Sequence, residues 1–495
     1  MTPGKKTLLV LATSLLIPAT LHAATDTETL YQQHCASCHG ADRLGGMGPA
    51  LLPENLSRLK KLQAEEAIQH GRPATQMPAF WNVLDEASIT ALAEYIYQPP
   101  ATTPTWEKTD ITDSHLLPHP TGTLPDEPAY DADMMNLFLV VEIGDHHVTL
   151  LDGDSMEPIH RFASRYALHG GPKYSPDGRF VYFGSRDGWI TKYDLYNLKV
   201  TAEVRAGINM RNIAVSADGN YVMAANYLPH TLVLFDADNL ELLEVLPVAS
   251  GDETSRVSAV YTAPPRDSFI AALKDIPEAW EITVVNGMAS VRRMQTDTWL
   301  DDFFFDPGYD HLIGAARDGK HGMVINLDTG ETVADLPLPG MPHLGSGISW
   351  EYEGRRVMAT PHFRAAAVSI IDMDNWQVIK TLETAGPGFF MRSHENSRYA
   401  WVDVFFGPNK DKVHVIDKQT LEIVKTLQPA PGKVAAHVEF DRYGEKLLLS
   451  VWDQDGAVIV YDADTLEEEK RIPMNKPSGK YNVWNKIHYE EGTSH

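Results

Sequence analysis

The run YSPDGRFVYFGSRDGWITKYD, from Tyr174 to Asp194, decides the fold. It opens on a Ser-Pro-Asp-Gly turn and passes through an apolar stretch. It turns again at Arg186-Asp187-Gly188 and ends in a second stretch closed by Tyr193-Asp194. Two β-type segments bounded by turn residues read as paired strands. The pattern recurs: Ser216-Ala217-Asp218-Gly219 leads to Phe235-Asp236, and Phe305-Asp306-Pro307-Gly308 leads to Asn326-Leu327-Asp328. The closing Asp is found at Asp152, Asp194, Asp236, Asp328, Asp372, Asp417 and Asp462, at spacings of 42, 42, 92, 44, 45 and 45. The gap of 92 holds two repeats, with Val284-Val285-Asn286-Gly287 where the missing Asp should fall. Eight units of a few strands each predict an all-β eight-bladed propeller over 134–495, with seven blades as the alternative. Neighbouring blades bury each other's faces. That matters because the chain has only two cysteines, and both are needed elsewhere.

Working outward, Cys35-Ala36-Ser37-Cys38-His39 is a C-x-x-C-H motif. Two thiolates add to the vinyl groups of a haem and the adjacent histidine becomes an axial ligand, so the motif predicts covalent haem c on Cys35 and Cys38 with His39 on the iron. Thr27 to Gln33 reads as a helix leading into the motif, and Ser88 to Tyr97 has helical periodicity. Gly45, Gly46 and Gly48 with Pro49 make a loop able to pass close to a flat macrocycle. Met77, in an extended Met-Pro loop, is the expected sixth ligand, with His70 as competitor. Residues 25–98 therefore read as a small all-α cytochrome c domain, and they resemble the class I cytochromes c. A Pro- and Thr-rich connector, 99–133, is expected to be extended and exposed.

Lys5-Lys6, the short apolar run Thr7 to Ala19 and the small residues around Ala23-Ala24 read as an export signal, 1–24. A retained anchor is the alternative. No later stretch is long and apolar enough to span a bilayer, so the mature chain is expected to lack a membrane span and to work in the periplasm. A net charge of −25 argues against nucleic acid and anionic membranes as partners.

In a propeller, the innermost strand of each blade follows a loop from the blade before, so residues just ahead of those strands converge at one mouth. His169 lies nine residues before Gly178, Arg211 eight before Gly219, His437 seven before Gly444, His343 eleven before Gly354 and Asp301 seven before Gly308. Three imidazoles and a guanidinium at equivalent places predict a polar pocket able to hold a metal or haem and its carboxylates.

A cytochrome c domain joined to an eight-bladed propeller resembles the cytochrome cd1 nitrite reductases and their relatives. Tyr166-Ala167-Leu168-His169, Gly207-Ile208-Asn209-Met210-Arg211, Ala225-Asn226-Tyr227 and Gly479-Lys480-Tyr481-Asn482-Val483-Trp484-Asn485 carry the likeness. The resemblance implies non-covalent haem d1, with His169 on its iron and Arg211 and Tyr227 binding the macrocycle. His343 matches one of two distal histidines of the reductases. Where the other is expected, this chain has Leu300-Asp301-Asp302. A carboxylate there would repel nitrite. The likeness then points to the branch that dehydrogenates a propionate of dihydro-haem d1 to acrylate, the last step of haem d1 biosynthesis in denitrification. The chain would pass electrons to its own haem c and on to a periplasmic acceptor, and the product to a nitrite reductase. His343 and His437 are the candidates for base or second iron ligand. A nitrite reductase and a non-enzymatic haem d1 carrier are the competing readings.

Overall fold

The computed structural model describes Met1 and residues 26–488, except 58, 73–76, 317, 318, 320 and 339. The expected export signal lies outside the described residues. Strands from Leu137 to Asn482 form eight four-stranded antiparallel sheets. Numbered as blades, the second to eighth are Lys173–Arg205, Asn209–Pro247, Val257–Gln295, Leu300–Leu336, Ile348–Glu383, Met391–Leu427 and Ala435–Met474. Blade 1 combines Leu137–Ala163 with the C-terminal strand Pro477–Asn482, which pairs with Leu137–Glu142 as its first, innermost strand. The chain's end thus closes the ring on its beginning. The expected eight-bladed propeller is what the chain forms.

Local chemistry explains the repeat. The recurrent Asp ends the third strand of a blade, where its carboxylate accepts backbone N–H groups of the turn that follows. Asp194 accepts from Tyr196 at 2.8 Å and Asn197 at 3.3 Å. Asp236 does the same for Asp238 and Asn239, and Asp462 for Asp464 and Thr465. Such Asx turns fix the third-to-fourth strand hairpin. In blade 5 the acceptor is Asn326, which takes Asp328 and Thr329, so the repeat register there sits two residues before Asp328. In blade 4 Asn286 and Gly287 have φ of 52° and 75° and join Val285 directly to Met288. Two left-handed residues make a tight hairpin that needs no Asp cap, which is why that copy looks degenerate.

Strands near the axis are mostly apolar and buried, because both of their faces meet a neighbouring blade. Leu137–Glu142 is buried at every position. One cluster joins Leu232 and Leu234 of blade 3 to Val260, Phe269 and Trp280 of blade 4.

Ahead of the propeller, helices Thr27–His34, Ala36–His39, Lys61–His70 and Glu86–Ile96 pack around Tyr31, Leu56, Ile68, Leu92 and Ile96. The last helix starts earlier than its apolar period suggests, because Asp85 caps the Ser88 N–H at 2.8 Å.

The connector departs from the expected extended, exposed chain. It contains a helix, Lys108–Asp113, and its residues lie along the edge of blade 2: Leu116 bridges Glu203, Trp106 Nε1 donates to the Arg205 carbonyl at 2.9 Å and Tyr130 donates to the Leu195 carbonyl at 2.9 Å. Aromatic anchors and backbone pairing outweigh the flexibility that Pro- and Thr-rich composition implies. Arg205 also donates to the carbonyls of Asp187 at 2.8 Å and of Leu44 in the cytochrome domain. An apolar seam of Ala50, Leu52 and Ile208 completes the junction.

Candidate functional site at the propeller mouth

Four innermost strands carry a β-bulge at the same place. The pairing skips Arg211, Ser258, Asp301 and His437. A bulge inserts one residue, breaks the alternation and re-aims the side chain. Here it turns polar side chains out of apolar strands toward the axis. His437 is held at φ 55°, a left-handed conformation that costs a non-glycine residue roughly 1 kcal/mol or more. His169 and His343 arrive instead on loops entering blades 2 and 6.

Every blade contributes to one closed circle of contacts around the mouth. Arg211 Nη1 of blade 3 lies 2.9 Å from His169 Nε2 of blade 2. Arg211 Nε donates to the Ser258 carbonyl of blade 4 at 2.8 Å. Three residues on, Tyr261 donates to Asp302 of blade 5 at 3.0 Å. The other Asp302 oxygen lies 3.7 Å from His343 Nε2 of blade 6. The His343 ring packs on Phe389 of blade 7 at 4.3 Å, Phe389 on Phe390 at 4.4 Å, and Phe390 on His437 of blade 8 at 4.7 Å. His437 meets Tyr481 of blade 1 at 5.2 Å. Tyr481 closes the circle: it stands so near Gly171, two residues after His169, that a Cβ there would sit 3.1 Å from its ring. A small cavity lies at this last join, with His169, Leu168, Phe183 and Tyr481 in its wall.

Hydrogen bonds fix where each imidazole keeps its proton. His169 Nδ1 lies 2.7 Å from the Arg211 carbonyl, and His343 Nδ1 is bonded to the Phe389 carbonyl. A carbonyl only accepts, so both Nδ1 atoms are protonated, His343 Nδ1 having the Ser346 hydroxyl as a second neighbour at 2.9 Å, and in the neutral ring each Nε2 keeps a lone pair. His437 is the reverse. The Lys480 N–H donates to its Nδ1 at 3.4 Å. Burial, helped by Lys480, Arg392 and Lys486, holds its pKa well below 6.5, so the ring is neutral and its single proton is on Nε2.

Cations gather on the blade 2–4 side, two of them paired with carboxylates: Arg256 with Asp275 and Lys274 with Asp301. Arg186 Nη2 also donates to His169 Nε2, at 3.0 Å. Arg186, Arg256 and Lys274 stand 5.8, 5.6 and 5.5 Å from the Tyr227 ring. Burial pushes the Tyr227 phenol up, but Arg211, Lys274 and Arg186 outweigh it and hold its pKa below 10. Such a field suits a multiply carboxylated ligand. Across the mouth, burial pushes the Tyr481 phenol up to about 12, so it is a donor at neutral pH. Lys173, 5.6 Å from the Tyr261 ring, is lowered by burial and then by Arg392 to about 8.

The cytochrome domain repeats the tautomer device. His39 Nδ1 donates to the Pro49 carbonyl at 2.8 Å, and Gly48 lies flat on the ring, where a Cβ would come within 2.7 Å. Nε2 is thereby presented for an iron. Cys35 and Cys38 are not joined in a disulfide, and Cys35 and Met77 pack against the same apolar cluster. This donor set fits haem c.

The residues expected at the mouth are therefore brought together, with one correction. Asp301 does not face a histidine; it is paired with Lys274 at 2.6 Å, and Asp302 is the carboxylate beside His343. Sequence reading noted Tyr481 only as part of a matching segment, and it passed over Tyr261, Phe389 and Phe390. The phenylalanines had a signal, since Gly386-Pro387-Gly388-Phe389-Phe390 breaks the blade pattern just ahead of an innermost strand.

Residues 132–486 match the Cytochrome D1 heme domain family, and residues 22–96 match the family described as Cytochrome C oxidase, cbb3-type, subunit III. The chain is 60% identical to the dihydro-heme d1 dehydrogenase of Pseudomonas aeruginosa, over 99% of its own length and 100% of the relative's. It is 25% identical to a nitrite reductase of Stutzerimonas stutzeri over 93% of this chain and 92% of that one. Among solved structures it is similar to the dihydro-heme d1 dehydrogenase NirN in complex with DHE, with a TM-score of 0.92 and 60% identity, covering 93% of this chain and 100% of that one.

Proposed function

Because this chain belongs to the Cytochrome D1 heme domain family, we propose that it dehydrogenates a propionate side chain of dihydro-haem d1 to an acrylate, the last step of haem d1 biosynthesis. It is an oxidoreductase acting on a CH–CH group. Removing one hydrogen from each of two adjacent carbons releases two protons and two electrons. Cys35, Cys38, His39 and Met77 would hold haem c, which would supply one-electron acceptance. The observation that carries the reading is the pair of oppositely placed imidazoles, His169 and His343, whose Nδ1 protons are committed to carbonyls and whose Nε2 lone pairs face the same mouth.

His169 Nε2 is the ligand for the substrate's iron. Arg211, together with Arg186 and Lys274, neutralises the macrocycle's carboxylates and sets its orientation, and Tyr227 lies among these cations. His343 Nε2 serves either the iron or a departing proton, and Asp302 at 3.7 Å would stabilise the imidazolium if it takes the proton. His437 is neither base nor iron ligand in this tautomer. Its Nε2–H and the Tyr481 hydroxyl are donors, suited to fixing the propionate carboxylate. Proton transfer needs groups placed this way before their strength matters.

No helix among the described residues is long and apolar enough to cross a membrane. Export by residues 1–24 to the periplasm, a periplasmic one-electron acceptor and delivery of the product to a nitrite reductase complete the reading.

The test is anaerobic mixing of the holoprotein with dihydro-haem d1. With oxidised holoprotein in at least twofold excess, the macrocycle should emerge two hydrogens lighter while two haem c groups, one per chain, each take up one electron. Recovery of unchanged macrocycle overturns the proposal. Nitric oxide from nitrite above background would favour a reductase instead, and transfer of unaltered cofactor by a Cys35→Ala protein would favour a carrier.

A further inference from the structure

We propose that Asp403 is a positioning residue of this reaction: one carboxylate that sets the imidazoles of His343 and His437 relative to each other. The inference rests on the dehydrogenase reading for its functional part.

Asp403 ends the second strand of blade 7, 1% exposed, and touches neither imidazole ring. One of its oxygens accepts the N–H groups of Phe389 at 2.8 Å and Phe390 at 3.1 Å. The other accepts the N–H of His437 at 3.3 Å. Its own N–H donates to the Phe390 carbonyl at 3.2 Å.

Each bond has a consequence at the mouth. Phe389 presents the carbonyl that takes the His343 Nδ1 proton, so the pose of that peptide decides which nitrogen of His343 carries the lone pair. The two phenyl rings form a wedge, Phe389 against His343 and Phe390 against His437. On the other side, the His437 peptide is in a left-handed conformation inside a bulge. Its N–H is held by Asp403, and its carbonyl is held by the Lys480 ammonium. Three backbone N–H groups from two blades thus converge on one carboxyl group in a region where burial makes every lost bond costly. Burial is severe enough to lift the Asp403 carboxyl to about 7 against those donors. An apolar residue at 403 would leave three buried donors unmet. An amide would turn its NH₂ toward at least one of them.

The experiment compares wild type with Asp403→Asn and Asp403→Glu. The first readout uses no substrate. Protein labelled with ¹⁵N-histidine, with haem c reduced, is read by long-range proton–nitrogen correlation, and His343→Gln and His437→Gln proteins assign the signals. Wild type should show His343 protonated at Nδ1 and His437 at Nε2. Asp403→Asn should show mixed tautomers at both, and Asp403→Glu should recover at least one. The second readout is turnover: kcat should fall by roughly 10–100-fold in Asp403→Asn, as for other residues that orient a ligand. KM should stay within about twofold, because His169 and Arg211 stand on other blades, and Asp403→Asn should cost less in a His343→Gln background, where only its hold on His437 remains. Unchanged tautomers in Asp403→Asn, or an equal fall of kcat in the His343→Gln background, overturns the inference. If Asp403→Asn does not fold, the Asp403→Glu tautomers decide. Displaced tautomers in a protein whose wild type has no dehydrogenase activity would instead sink the functional reading alone.

Discussion

Replacing Arg205 with Met should loosen the cytochrome domain from the propeller, by an amount the contacts allow one to work out. The side chain is 6% exposed. Its Nε and Nη2 donate to the carbonyls of Asp187 and Leu44, and its guanidinium lies 4.6 Å from the Trp106 ring. Hydrogen bonds from a charged donor contribute about 1.5–3 kcal/mol each. A cation–π contact adds about 0.5–2 kcal/mol. Burying the guanidinium costs part of this, and desolvation accordingly holds the Arg205 pKa below its ordinary value. Asp187 lies in the same blade as Arg205, so undocking breaks only the Leu44 bond and the Trp106 contact. A net loss of about 2 kcal/mol corresponds to a shift of roughly 30-fold in the docking equilibrium. Methionine keeps the apolar bulk, and the Trp106 bond to the Arg205 carbonyl survives, so local folding is retained. The assay is limited proteolysis within residues 99–133, run where cleavage tracks the open fraction. The cutting rate should rise roughly 30-fold, while the visible spectrum of haem c stays as it was. A cutting rate equal to wild type would refute the reasoning: the Ala50–Leu52–Ile208 seam alone would then hold the domains together.

His169→Ala should weaken binding of dihydro-haem d1 by roughly tenfold or more, seen by visible titration, because the proximal ligand is lost; undiminished affinity would mean that the iron binds elsewhere. His343→Gln separates the two uses of its lone pair: a changed iron spectrum with bound substrate identifies a ligand, and an unchanged spectrum with lost turnover identifies a base. The folded chain refuses the proton that His437 takes up when unfolded, so stability falls as pH drops below about 6.5. His437→Gln should flatten that acid slope in urea melts and, by keeping a donor at the same place, retain most of kcat; a steeper slope would contradict the buried neutral ring. Asp194→Ala removes the turn acceptor for Tyr196 and Asn197 and strips Arg179 of a buried partner at 3.0 Å. It should cost about 3 kcal/mol in the same melts, and a loss under 1 kcal/mol would mean that the turn is set by its backbone alone.

The architecture was legible because its punctuation is local. An Asx turn needs only an Asp and the two or three residues after it, and its chemistry repeats wherever a third strand meets a fourth. Even the failures of the pattern are local: Asn326 substitutes as acceptor in blade 5, and Asn286-Gly287 makes a different turn in blade 4. The candidate histidines and Arg211 were legible as polar residues in otherwise apolar strands. What distinguishes Asp301 from Asp302 was not, because it depends on a register shift against the partner strand, which places Asp301 on the bulge beside Lys274 and leaves Asp302 facing His343. Asp403 was equally hidden. It looks like an ordinary strand end, and its importance appears only when a loop of its own blade and a bulged strand of the next close over it. The connector misled for the opposite reason: composition describes a chain in water, and Trp106 and Leu116 found a surface.

The three imidazoles with protonated Nδ1 atoms, His39, His169 and His343, share a construction. In each, the proton acceptor is a backbone carbonyl from another segment: Pro49, Arg211 and Phe389. A carbonyl has no proton to give back, so the tautomer cannot invert without moving main chain, and main chain in a propeller moves only with its blade. His437 has an amide N–H in that place, and the same rigidity therefore commits it to donation. The distinction between an imidazole that can ligate or accept and one that can only donate is thus written in which backbone group the neighbouring segment presents. A relative with a histidine at each of these positions but a carbonyl against the fourth ring would have the same residues and different chemistry. Residue identity alone is therefore too weak a criterion for activity in this fold; the partner of each Nδ1 has to be known as well.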